Sequence, residues 1–133
     1  MASSRRAAAA AVRHALGPLD EARSAWNAGE YARVVRLLSG AVFERRDERV
    51  AAAHWQARAL LALDRPEEAA PLLQRVSKHA QGAAETAAGT MLLGASLART
   101  NRREQGEALL DQAASLVPRS APQLAAEVAY YRA

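Results

Sequence analysis

His14, His54 and His79 are the side chains best suited to metal or acid–base chemistry in this 133-residue sequence, and their spacing serves neither. Ligands offered from one helix need separations of three or four residues and a further donor, as in H-E-x-x-H, and no such phrase occurs. The chain has no cysteine, which removes disulfides, thiolate metal sites and a thiol nucleophile. No nucleophile elbow frames its Ser, Asp and His residues as a triad, and no phosphate-cradling P-loop is present. These features lead to the expectation of a non-enzyme with no cofactor and no metal.

Arginine is what remains. Of 18 basic residues 17 are Arg and only Lys78 is lysine. The pI near 10.3 suggests nucleic acid until the charges are located. Arg5, Arg6 and Arg13 precede the first acidic residue, Asp20, and from there on 15 basic residues face 14 acidic ones. A phosphate-binding domain needs a basic face and not merely a high pI, so nucleic-acid binding by this domain is the weaker expectation.

The elements that position these residues are helices. Ala supplies 35 residues, Gly only 7 and aromatics 5%. Alanine loses no side-chain entropy in a helix, whereas strands favour β-branched and aromatic residues. The opening "MASSRRAAAAAVRHALG", residues 1–17, reads as a short Ala/Arg-rich helix or a disordered segment, with an organelle transit peptide as the alternative. No stretch approaches the roughly 18 apolar residues of a membrane span. The expected location is the cytoplasm.

"RTNRREQGEALLDQAASLVP", residues 99–118, echoes two earlier stretches, "LDRPEEAAPLLQRV" and "AGEYARVVRLLSGA". Six slots align together: Ala22, Ala57, Gly94; Ala25, Leu60, Leu97; Val34, Ala69, Gly106; Leu37, Leu72, Leu109; Leu38, Leu73, Leu110; Ala41, Val76, Ala113. Every set is separated by 35 and then 37 residues. Self-similarity of that period signals a stack of supersecondary units, each with an apolar face it cannot bury alone. Within each unit a polar phrase, "NAGEY", "LDRPEE" or "TNRREQ", breaks two helical patterns. Asp64 with Glu67, Asn101 with Glu104 and Ser120 with Gln123 have the spacing of N-terminal capping boxes, and Pro66 suits a first helical turn. "ERRDERV", residues 44–50, reads as a solvated connection with local ion pairs. Seven main helices are expected from about residue 18 onward.

These residues resemble the tetratricopeptide repeat family, on the turn Gly29, Glu30 and Tyr31, on Ala69 and Leu73, and on Leu93, Gly94, Ala113 and Pro118. The resemblance covers about residues 18–133, three units plus the first helix of a fourth. It implies an all-α fold of antiparallel helix-turn-helix repeats stacked as a short solenoid, acting as a protein-binding scaffold within a larger regulatory or assembly protein. The alternatives are the sensory or oligomerisation region of a transcriptional regulator, or nucleic-acid binding through Arg.

The family's first helices line a concave groove. That implication places Arg23, Trp26, Asn27, His54, Arg58, Leu61, Met91, Ala95, Arg99, Val128 and Arg132 on the groove side. Arg23, Arg58 and Arg132 share a slot, and guanidinium forks in a stripe would suit a protein or peptide partner rich in carboxylates. The last unit stops after one helix. Val128, Tyr130 and Tyr131 are therefore expected on an open apolar edge that supports a homodimer.

Overall fold

The computed structural model describes residues 17–133. The expectation for the N-terminal segment lies outside the described residues. Those described form seven α-helices and one 3₁₀ turn, with no strand among them. The helices are α1 (17–27), α2 (Tyr31–Ser39), α3 (Arg46–Ala62), α4 (Pro66–Val76), α5 (Gly82–Ala98), α6 (Arg103–Leu116) and α7 (Pro122–Arg132), with the 3₁₀ turn at Ser77–His79. From α2 onward each helix packs against the next in sequence, and the alternate helices α3, α5 and α7 also touch in order.

Five of the six aligned slots are equivalent in burial; in the sixth, Ala113 is buried while Ala41 and Val76 are half-buried. Ala22, Ala57 and Gly94 are buried, as are Ala25, Leu60 and Leu97, Val34, Ala69 and Gly106, and Leu38, Leu73 and Leu110. Leu37, Leu72 and Leu109 are each half-buried. Small residues recur where helices cross. A Cβ added to Gly94 would lie 2.9 Å from the Gly106 carbonyl oxygen, and one added to Gly106 would meet the Ala98 backbone more closely still. Here α5 and α6 meet backbone to backbone, and Leu60, Leu92 and Leu110 fill the space around the contact.

The turns explain the spacing of the repeat. The Glu30 N–H donates to the Ala25 carbonyl at 2.8 Å and the Gly29 N–H to the Trp26 carbonyl at 3.0 Å; Arg65 to Leu60 and Asp64 to Leu61 do the same at 2.8 and 3.1 Å. This bond pair closes a helix when its penultimate turn residue is left-handed. Gly29 has φ 75° and Asp64 has φ 59°. The third turn closes through Thr100, whose N–H and Oγ1 both donate to the Leu97 carbonyl, at 3.1 and 2.9 Å. The two extra residues of the longer interval lie between Val76 and Gly94, the stretch that holds the 3₁₀ turn and Gly82 at φ 80°.

Five local expectations differ from the structure. Asp64 ends α3 instead of capping α4; the caps fall one residue later, at Arg65 and Arg102, and neither side chain can accept a bond from the helix start. Asn101 and Ser120 likewise make no cap bond, α7 being preceded by Ala121. The charged run at residues 44–50 is no mere solvated connection: Arg46 crosses to α5, donating to Glu85 at 2.9 Å and to the His79 carbonyl at 2.6 Å. The open edge at α7 is folded inward. Val128 is 2% exposed within the core, Tyr131 packs against the same cluster, and of the three only Tyr130, at 70%, stands in solvent. α5 and α6 pack against α7 and cover Val128 and part of Tyr131.

Candidate functional site

Asp47, Val50, Ala51, His54, Trp55 and Arg58 fall at the i, i+3, i+4, i+7, i+8 and i+11 positions of α3 and therefore share one face. That face forms the floor of a groove of about 910 Å³. Trp26 of α1 closes one side, Ala84, Glu85 and Ala88 of α5 the other, and residues 120–124 with Glu127 the third. The helices α1, α3, α5 and α7 thus all contribute to this one groove.

An aromatic cluster anchors the α1 side. The Trp26 ring lies 4.8 Å from Tyr31 and 5.8 Å, edge-on, from Trp55, and the Arg58 guanidinium carbon sits 4.9 Å above the Trp55 ring. These are favourable geometries for ring quadrupoles and for a cation over an indole face. Both indoles are half-buried, each with one side in the core and one toward the groove.

Arg58 is also held from across the groove. Its Nε donates to Glu127 Oε2 at 2.7 Å and its Nη2 to Oε1 at 3.1 Å, a two-point pair with side-chain exposures of 14% and 31%. At the far end Arg46 holds Glu85, and Arg45 donates to Asp47 at 3.1 Å. His54, between these pairs, is 6% exposed. Burial, and then the nearby Arg58 charge, push its pKa down to about 4, with Glu85 pulling weakly the other way, so the imidazole is neutral at pH 7. Gly89 of α5 makes room for it, since a Cβ there would lie 3.3 Å from His54 Nε2.

Of the residues placed on the groove from sequence, Trp26, His54 and Arg58 line it. Arg23 lines a smaller adjoining cavity of about 240 Å³, which shares Ala51 and Trp55 with the groove. Leu61, Met91, Ala95 and Val128 are core residues. Asn27 is exposed outside the groove, Arg99 donates to the Leu61 carbonyl at 2.9 Å, and Arg132 pairs with Asp111 of α6 at 2.9 Å. The expected Arg stripe is thus not assembled: only Arg58 reaches the groove, and Glu127 already holds it. Trp55, Glu85, Pro122, Leu124 and Glu127 are groove residues that the sequence reading missed. Trp55 and Arg58 were within reach as an i, i+3 pair on a helix already identified; Glu127, from another unit, gave no local signal.

Among the described residues no group of three or more His, Asp or Glu is placed to hold a metal ion, and no helix is long and apolar enough to cross a membrane. What the groove offers is apolar and aromatic surface from Trp26, Val50, Trp55, Ala88 and Leu124, interspersed with charges that are already paired. Compared with known families, curated proteins and solved structures, the chain matches none.

Proposed function

We propose that this chain is a non-catalytic, tetratricopeptide-like helical-repeat module that binds a protein or peptide segment in the groove between its first helices. Equal burial at five of the six aligned slots, the recurring bond pair at the first two turns and the contacts α3 to α5 to α7 support the repeat reading. The observation that carries the binding reading is the pair Trp26 and Trp55, half-buried and facing one concavity beside Arg58. Residues whose truncation costs most at protein interfaces are enriched in Trp, Tyr and Arg and sit in pockets that exclude water.

Variants on opposite faces test this. Ala84→Arg places bulk and charge on an exposed groove wall, and Gln112→Arg places the same group on the exposed face of α6. The groove variant should lose the partner that the full chain retains, and the α6 variant should keep it. Loss confined to Gln112→Arg would move the binding surface out of the groove.

A further inference from the structure

We propose that the groove selects an uncharged apolar peptide segment, because every charged side chain on its wall already has an opposite charge within hydrogen-bonding distance. The inference rests on the groove being the partner site and names the chemistry of what enters it.

Five titratable side chains line the groove: Asp47, His54, Arg58, Glu85 and Glu127. Asp47 is held by Arg45, Glu85 by Arg46, and Arg58 and Glu127 by each other. His54 is neutral, buried against Gly89. A ligand carboxylate could reach a guanidinium only by displacing Glu127 from Arg58. A ligand ammonium or guanidinium would compete with Arg46 for Glu85 or with Arg58 for Glu127, while Asp47, exposed beside Arg45, lies at the solvent rim. At the Arg58–Glu127 and Arg46–Glu85 pairs either exchange makes one ion pair, breaks another and leaves a half-buried charge without its partner, which is where ion pairs become costly. An aliphatic or aromatic side chain breaks nothing and covers Trp26, Trp55, Val50 and Leu124. This reverses the acidic partner that an Arg stripe would have favoured.

The chain carries its own reporter. It contains two tryptophans, both on the groove, so intrinsic emission follows occupancy directly. Three short peptides of one Leu/Phe host sequence, differing only in a central Gln, Glu or Arg, are titrated against the full chain, with circular dichroism confirming that each variant is folded. The Gln peptide should bind tightest, the Glu and Arg peptides about tenfold or more weaker, since a charge that loses its hydrogen-bonded partner costs at least that factor. Added salt should change the affinity of the Gln peptide little.

Releasing one partner should create the missing selectivity. Glu127→Gln frees Arg58 and should strengthen the Glu peptide about tenfold, and Arg58→Gln frees Glu127 and should strengthen the Arg peptide similarly. A charged peptide that binds the unaltered chain as well as the Gln peptide overturns the inference, as does an unchanged order in both variants. Should a charged peptide bind best and still alter tryptophan emission, the selectivity falls while the groove stands as the partner site. If no peptide alters the emission, both fall.

Discussion

Arg58 and Glu127, 69 residues apart in the chain, meet in a two-point ion pair that ties α7 to α3 across the groove. The contact joins the second unit to the last without passing through the third. It adds to the packing on α5 and α6 that holds α7, which forms the third wall of the groove.

Removing either partner should therefore cost more than a surface ion pair would. Glu127→Gln is expected to destabilise the chain by about 1–3 kcal/mol, because charged hydrogen bonds in poorly solvated sites are worth roughly that much. A double-mutant cycle with Arg58→Gln, read from urea midpoints, should give a coupling of the same order. A coupling within error of zero would mean that α7 is held by its apolar face alone.

Gly89, Gly94 and Gly106, the glycines inside α5 and α6, should rank by what a methyl group would strike. Alanine is favoured over glycine in a helix by about 1 kcal/mol when space permits. At Gly89 the neighbour is the tip of His54, at Gly94 the backbone of Gly106, and at Gly106 the backbone of Ala98 and Gly94. Gly89→Ala should be the mildest, Gly94→Ala worse and Gly106→Ala worst, by about 2 kcal/mol or more from overpacking. Thermal melts check the order, and a stable Gly106→Ala variant would place α5 and α6 further apart.

Asp64 occupies the left-handed position that Gly29 fills in the preceding unit. Such a conformation costs a non-glycine residue about 1 kcal/mol. Asp64→Gly should therefore be neutral or stabilising by up to about 1 kcal/mol, and Asp64→Val destabilising by about 1–2 kcal/mol, as a branched Cβ tolerates the position poorly. The reverse order in denaturant midpoints would contradict this turn.

His54 should make the chain acid-sensitive in a defined window. Its folded-state pKa, about 4, lies below the ordinary value of 6.5, so between these the unfolded chain binds the extra proton. Stability from keeping His54 neutral is complete above pH 6.5 and is lost as pH falls toward 4, a change of at most about 3 kcal/mol. His54→Gln should flatten that part of the stability–pH curve relative to the unaltered chain. Equal slopes for the two would mean that the imidazole is freely protonated in the folded state.

The backbone plan was legible in the sequence, and the groove only in part. Apolar slots at 35 and 37 residues identified the helices and the crossings at Gly94 and Gly106, because burial has a period that survives substitution among Ala, Val, Leu and Gly. The capping boxes at Asp64 and Asn101 misled because acceptor side chains also suit helix ends, where Asp64 terminates α3. Groove residues were projected one unit to the next by equal slots, which sent Trp26 to Leu61, a core position. Trp55, a turn and a half nearer the start of α3, is what Trp26 meets instead. Arg58 lines the groove, but its pairing leaves no local signal in the sequence, since its partner is one acidic residue among 14 and only the packing of α7 selects it.

The most direct measurement compares photocrosslinking from two glutamine positions in the full chain, Gln123 on the groove wall and Gln112 on the exposed face of α6. A photoreactive residue at position 123 should attach covalently to the bound protein partner, and the same residue at position 112 should not, with the groove product lost on adding Trp55→Asp. Attachment from position 112 alone, or from position 123 undiminished by Trp55→Asp, would contradict binding in the groove.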